Sequence, residues 1–231
     1  MSFVAKLQEL RQFETPLLAN TIGYIDPTPP YEYYMAGSIQ SVTPALGPTV
    51  GVAVTCEMDS STPGGQTDME GYWQQIEEIT AMAEPAIWVV KTVGSRPDHE
   101  CVLGDGMAKT LRAAGCVAVV TDGGVRDIAG CLTAEFAAYC RGKVVHHCSY
   151  RLRALGQPIE LGGITVRQGD ILHADNEGVI RIPSSCLDKL APAAFKMRAC
   201  EQEVHCLWQR SEVSPREKRR GATEIFAKYG F

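Results

Sequence analysis

Residues 104–127, GDGMAKTLRAAGCVAVVTDGGVRD, constrain the fold of this chain more than any other segment. The first half opens on Gly104, reads as a helix, and closes on Gly115, a residue able to take the left-handed backbone that ends helices. Residues 116–121, CVAVVT, follow at once as a run rich in β-branched side chains, the signature of a buried strand. The strand gives way to Asp122-Gly123-Gly124-Val125-Arg126-Asp127, a turn that carries charged side chains to a strand's carboxyl end. A helix feeding a buried strand is the repeating unit of α/β folds, and the class expected here is a single-domain α/β protein.

The rest of the chain is consistent with that class. Phe3, Val4, Leu7 and Leu10 share one face at helical spacing and predict a short amphipathic helix. Residues 24–48, rich in Pro, Tyr, Gly and Thr, are expected to be mostly irregular. Residues 50–56 (VGVAVTC) and 86–91 (AIWVVK) read as buried strands. Between them lie a loop over 59–71, with its Pro63-Gly64-Gly65 turn, and a helix over about 69–83. Past Asp127 the pattern predicts a helix around 134–140 and a strand near 143–146. Short strands then follow at 159–161, 164–167, 170–174 and 179–182. Gly162-Gly163 stands between two of these strands as a tight hairpin turn, and residues 175–178 join the last two. In the final third, Leu187, Leu190, Ala194, Met197, Val204 and Trp208 keep a helical spacing that breaks at Glu201, with Pro192 expected to start that helix. A basic stretch at 216–220 leads into a last amphipathic piece ending at Phe231, and reads as a solvated face.

Composition narrows the function. Of 231 residues, 45% are hydrophobic and 21% charged, the balance of a globular protein with a sizeable core. A net charge of −5 weighs against nucleic acid or an anionic membrane as an electrostatic partner. No apolar run approaches the roughly 20 residues that a membrane span needs. Residues 1–14 have no basic stretch followed by an apolar core, so no secretory signal is expected and the expected location is the cytoplasm. The nine cysteines are odd in number, form no CxxC pair and sit in apolar or helical stretches, which fits buried free thiols in a reducing compartment.

Two features carry candidate chemistry. The turn Gly104-Asp105-Gly106-Met107 opens a helix, and backbone N–H groups there can hold a carboxylate or phosphate. The plainer reading is a helix that simply starts after a glycine. Arg126 can grip a carboxylate with two parallel hydrogen bonds, and Asp127 can hold a hard divalent cation. The plainer reading here is a pair engaged in loop salt bridges. The adjacent His146 and His147 would face opposite sides of a strand and cannot readily share an ion, so they read as structural or surface groups.

The run 104–127 resembles the motif of the RraA-like family, which includes the 4-hydroxy-4-methyl-2-oxoglutarate aldolases: a Gly-acidic turn opens a helix, and about twenty residues later an Arg-Asp pair follows a strand. The resemblance extends to VGVAVT at 50–55 and to VRQGDILHADNEGVIRIP at 166–183, with Gln168 where proline is usual. Gly106 stands where leucine is common, and the 59–71 region is more elaborate than the usual loop.

The resemblance implies a layered β/β/α swivelling-type domain over residues 1–185. A helical extension over 186–231 would pack on that domain or on a neighbouring subunit. It implies assembly as a homotrimer or homohexamer with sites between subunits. It also implies class II aldolase chemistry on a short 2-keto acid, with Mg2+ or Mn2+ as cofactor. Asp127 would ligate the metal and Arg126 would bind the substrate's keto-acid end. The amides of Gly104, Asp105, Gly106 and Met107 would hold its carboxylate. Asp105 would reach the metal through water or orient a water in proton transfer.

Cleavage beside a 2-keto acid leaves the enolate of pyruvate, and oxaloacetate decarboxylation passes through the same enolate, so one site can catalyse both. A different acid substrate on the same scaffold is a further possibility. The same family contains non-catalytic regulators that bind a ribonuclease, which is the alternative function. A methyltransferase label sometimes attached to relatives finds no support, because GDGMAK lacks the Gly-x-Gly-x-x-Gly pattern. Glu201, Glu203 and His205 in the tail read as helix surface.

Overall fold

The computed structural model describes residues 2–147 and 149–231. The chain opens with α1 (Phe3–Leu10) and α2 (Thr15–Ile25), then passes through β1 (Gln40–Ser41) into the long strand β2 (Thr49–Asp59). Three crossovers follow. The first runs through α3 (Met69–Thr80) to β3 (Ala86–Thr92), and the second through β4 (Cys101–Leu103) and α4 (Asp105–Ala114) to β5 (Cys116–Thr121). The third runs through β6 (Gly124–Val125) and α5 (Ile128–Thr133) to β7 (Ala137–Cys140). Then come β8 (Gly142–Lys143), β9 (Arg151–Arg153), β10 (Ile159–Leu161), β11 (Ile164–Val166), β12 (Ile171–Asp175) and β13 (Gly178–Ile182). Two helices close the chain, α6 (Leu187–Gln209) and α7 (Pro215–Tyr229).

Eight strands form one sheet in the order β1-β7-β5-β3-β2-β12-β13, with β9 also paired to β2. The centre, β7-β5-β3-β2, is parallel, and the flanking pairings are antiparallel. Parallel strands need cover on both faces, which is why β3 and β5 read as unbroken apolar runs. On one face Trp88, Val90 and Val119 pack with Ile76 and Ile79 of α3 and Leu111 of α4. On the other, Ile87, Val89, Ala118 and Val120 pack with Ile159, Leu161, Ile164 and Val166 of the β10–β11 hairpin. The layers are therefore helix, sheet and hairpin, the β/β/α arrangement expected. Gly162 and Gly163 turn that hairpin with φ of 58° and 84°. A side chain at Gly162 would also strike Met35, 2.7 Å from the added carbon.

A second helical layer covers β12 and β13. Leu190, Ala194 and Met197 of α6 meet Leu7, Leu10, Leu18 and Ile22 from the N-terminal helices over Ile180 and Ile182. Beneath it His173 of β12 is fully buried. Its Nδ1 lies 2.9 Å from Thr15 Oγ1 and its Nε2 lies 3.2 Å from the Leu10 carbonyl oxygen. Burial lowers its pKa to about 4, so the ring is neutral in the folded protein.

Several elements differ from the sequence reading. The helix expected at 134–140 lies earlier, at α5, and Ala137–Cys140 is strand β7. Alanine-rich AAYC has helical propensity, yet pairing of Ala118, Val119 and Val120 with Ala137, Ala138 and Tyr139 buries all four of its residues. Pro192 lies inside α6 rather than at its start. The hydrogen bond it forfeits is to the carbonyl of Asp188 in the helix's first turn, where the Asp188 side chain is well exposed and water can replace it. The strand near 143–146 is only β8, and α2 forms where no element was expected. Cys56, Cys116, Cys131, Cys140, Cys186 and Cys200 are buried free thiols, and Cys148 lies outside the described residues. Among the described residues no helix is long and apolar enough to cross a membrane.

Candidate active site

Strands β4, β6 and β8 form a second, small sheet, parallel throughout. Leu103 pairs with Val125, and the Arg126 N–H donates to the Leu103 carbonyl at 2.9 Å. Gly104 and Arg126, each the first residue beyond its strand, therefore emerge side by side. This corrects the sequence picture, in which Arg126 and Asp127 hang from the end of the 116–121 strand. That strand, β5, ends at Thr121, and the next carboxylate, Asp122, is engaged with Lys91 and with the Thr92 N–H (2.8 Å) and hydroxyl (3.0 Å).

Gly104 is the N-cap of α4, in extended backbone, with no side chain capping the helix. The first-turn amides of α4 have no partner within the helix. Gly104, Gly106 and Met107 line a cavity of about 480 Å3 that Arg126 also borders. A Cβ built on Gly104 would lie 3.0 Å from Asp127 Oδ2 and 3.1 Å from Arg126 Nε, so the missing side chain is what lets the two charged groups close over the turn. Gly130 of α5 does the same for Asp105, whose Cβ would lie 2.4 Å from an added methyl.

Asp127 has φ 57° and ψ 44°, a left-handed conformation that costs a non-glycine residue on the order of 1 kcal/mol. It occupies the N-cap of α5, yet its side chain caps no amide there. The carboxylate faces Arg126 instead, with Oδ2 3.5 Å from Nε. Asp105 Oδ2 accepts a hydrogen bond from Lys109 Nζ at 2.6 Å, one helical turn on. That bond holds the Asp105 carboxyl below the usual carboxylate range and raises the Lys109 ammonium. Asp105 is not among the residues lining the cavity.

The model of the RraA-like family, described as aldolase/RraA, matches residues 31–181. The chain belongs to the RraA-like family. A protein of Halalkalibacterium halodurans named "Putative 4-hydroxy-4-methyl-2-oxoglutarate aldolase" is 31% identical over 131 residues, which are 54% of this chain and 60% of that protein. The chain thus matches less than two thirds of that relative's length. Among solved structures, an uncharacterized protein of Pseudomonas syringae superposes with a TM-score of 0.70 at 20% identity, covering 94% of this chain and 93% of its own. Streptomyces coelicolor RraAS2, described as an unusual member of the RNase ES inhibitor RraA protein family, superposes with a TM-score of 0.68 at 20% identity, covering 87% and 96%. At such identities the structures establish the shared fold alone.

Gln168, just before β12, has both ends of its amide engaged in this RraA-like chain. Its Oε1 accepts from the Thr55 N–H (2.8 Å) and hydroxyl (3.2 Å), and its Nε2 donates to Glu78 at 2.6 Å. The side chain thus ties β2 to α3. The donor chemistry at Asp127 fits a hard divalent cation. Its oxygens are not used to cap α5, Gly104 leaves room beside them, and magnesium accepts one direct carboxylate with water completing its shell. No group of three or more His, Cys, Asp or Glu among the described residues comes together as a closed cage.

Sequence reasoning missed the cavity's other wall. Met69, Tyr72 and Trp73 come from α3, with Tyr150 and His147 from the stretch before β9. The Asp68 N–H donates to the Tyr150 carbonyl at 2.8 Å and closes that wall. His147 lines this cavity while His146 lines a different one, and neither lies in a strand, since β8 ends at Lys143. Aromatic residues at 72, 73 and 150 carry no local signal of a shared surface. Lys109 had one, standing four residues from Asp105 on a helix.

Proposed function

We propose that this chain is a divalent-metal-dependent lyase of the class II aldolase type, cleaving a C–C bond of a short 2-oxo acid to release pyruvate. One observation carries the reading: Arg126 and the uncapped first turn of α4 line a single cavity, and the Asp127 carboxylate stands behind them, 3.5 Å from Arg126 Nε. The name of the Halalkalibacterium relative, matched over part of its length, points the same way.

In this reading the amides of α4's first turn receive the substrate carboxylate, where backbone N–H groups and the helix dipole favour an anion. Arg126 donates to the keto oxygen, a preorganised donor worth a few kcal/mol as charge develops there. Asp127 would hold the cation, Mg2+ or Mn2+, with Asp105 beside it acting through water, and the bound cation would supply Lewis-acid chemistry. Asp105, kept ionised by Lys109, orients the water that exchanges a proton with the substrate. Assembly as a homotrimer or homohexamer belongs to the same proposal and is tested by light scattering.

The test is pyruvate release from oxaloacetate, with Mg2+ in one arm and a chelator in the other, after subtraction of the metal-only rate. Metal-dependent release that disappears in Arg126→Ala supports the lyase. No release from a folded, metal-loaded sample, together with recovery of a ribonuclease in a pull-down, replaces it with the regulator reading.

A further inference from the structure

The cavity beside Arg126 is chemically divided. Its anion-binding groups are Arg126 and the α4 turn, and the side chains of Met69, Tyr72, Trp73, Met107 and Tyr150 make an apolar and aromatic wall beside them. Tyr72 is the centre of that wall. Its ring meets Trp73 edge-on at 5.7 Å between centroids and Tyr150 at 6.1 Å. Both phenol hydroxyls are turned to protein partners, Tyr72 to the Met107 carbonyl at 3.5 Å and Tyr150 to the Met69 sulfur at 3.2 Å. Burial raises both phenols above their ordinary pKa, so they remain neutral. Trp73 and Met69 are nearly half exposed, at 46% and 45%, an amount of bare apolar surface that a bound ring can cover.

The charge inventory points the same way. Among the described residues, Arg126 is the only Arg or Lys lining the cavity, and His147 stands at its exposed rim. A substrate with one carboxylate finds its anchor at the α4 turn. A second carboxylate laid against Tyr72 and Trp73 would be desolvated, with no lysine or arginine besides Arg126 lining the cavity to meet it. A side chain at Gly106 would meet nothing within 4 Å, so there is open volume beside the anchor. The cavity's 480 Å3 is within the range of sites for compact organic ligands.

We propose that this cleft selects 2-oxo acids whose distal end is an aromatic ring, lying against Tyr72 and Trp73, over those that end in a second carboxylate. The inference deepens the lyase reading and rests on it for its chemistry. For a 4-hydroxy-4-aryl-2-oxobutanoate, the C4 hydroxyl loses its proton and becomes the aldehyde carbonyl. The C3–C4 bond breaks with its electron pair moving into the pyruvate enolate. A proton then returns to C3, giving pyruvate and an aryl aldehyde with no other reactant.

The experiment has a binding arm and a turnover arm. Calorimetry with Mg2+ present compares phenylpyruvate with 2-oxoglutarate, a dicarboxylate, on the full chain. Phenylpyruvate binds about tenfold tighter, and Trp73→Ala or Met69→Ala erases that preference while pyruvate affinity stays the same. Turnover compares pyruvate release from 4-hydroxy-4-phenyl-2-oxobutanoate and 4-hydroxy-2-oxoglutarate. A higher kcat/KM for the phenyl compound, reduced by Trp73→Ala through KM, supports the proposal. Equal or tighter binding of 2-oxoglutarate, or a Trp73→Ala loss shared equally by pyruvate, overturns the aromatic specificity and leaves the lyase standing. Aromatic preference in binding without any turnover overturns the lyase and leaves the specificity standing. No binding of either acid overturns both.

Discussion

The two ends of the cleft were built in different ways. The polar end comes from one stretch of 24 residues: the 104 turn and the 126–127 pair are brought together by a parallel pairing of three-residue and two-residue strands. The aromatic end comes from α3 and from a segment some eighty residues later, joined by Tyr72 packing on Tyr150 and by the Asp68–Tyr150 backbone bond. Chemistry at the first end depends on backbone geometry that few residues can provide, such as Gly104 under two charged side chains and Asp127 at positive φ. Shape at the second end depends on side-chain packing, which tolerates exchange. The division predicts that substitutions at the polar end abolish function without unfolding the protein, and that those at the aromatic end act through stability or specificity.

The largest expected effect tests the polar end. Arg126→Ala should lower kcat/KM for metal-dependent pyruvate release by about 10^2–10^3, the loss typical of one preorganised donor. Its urea midpoint should stay near that of the parent, because the side chain lies at the cleft surface. A collapse in stability instead would make Arg126 structural and break the comparison. Tyr72→Ala should do the reverse. The ring is almost fully buried against Trp88 and Tyr150, and its removal should cost roughly 3–5 kcal/mol in chemical denaturation. Tyr72→Phe, which keeps the ring and gives up only the hydroxyl's hydrogen bonds to Met107 and Thr110, should cost about 1 kcal/mol.

A third measurement separates the cleft from the helical layer on β12. His173 is held neutral with a pKa of about 4, below the 6.5 of the unfolded chain. Between those values the unfolded chain binds a proton that the folded chain refuses. Stability is therefore fully present above about pH 6.5 and falls as the pH drops toward 4, by roughly 2–3 kcal/mol. His173→Asn should flatten that part of the pH–stability curve measured in urea, and an unchanged slope would exclude His173 as its source. The smallest effect belongs to Lys109→Met. It should let the Asp105 carboxyl rise toward its ordinary value in an NMR titration and leave the denaturation midpoint unchanged, since the pair is exposed.

Much of this was legible in the sequence because it rests on local rules. The β-branched run at 116–121, the glycine ending its helix and the Gly-Gly hairpin were readable from periodicity and turn chemistry. The residues 104–107 and 126–127 were singled out by motif before any geometry. Ala137–Cys140 shows where local reading failed: a segment opening on two alanines became a strand because β5 offered an unpaired edge and a buried place beside it. The Arg-Asp pair shows a subtler limit. Its strand, β6, is two residues long, too short to carry any periodic signal, and only pairing with β4 and β8 defines it.

The sequence by itself thus determined the α/β class, the helix–strand unit from 104 to 121, and which charged residues stand ready at the turn that follows. Those follow from backbone preferences and nearest-neighbour spacing, which act within a few residues. The tertiary structure alone decided that Gly104 lies under Arg126 and Asp127, that Asp122 is spent on Lys91 and Thr92, and that Met69, Tyr72, Trp73 and Tyr150 share one wall. Those depend on which apolar faces find each other across the sheet, a choice made by burial over the whole chain rather than by any segment of it.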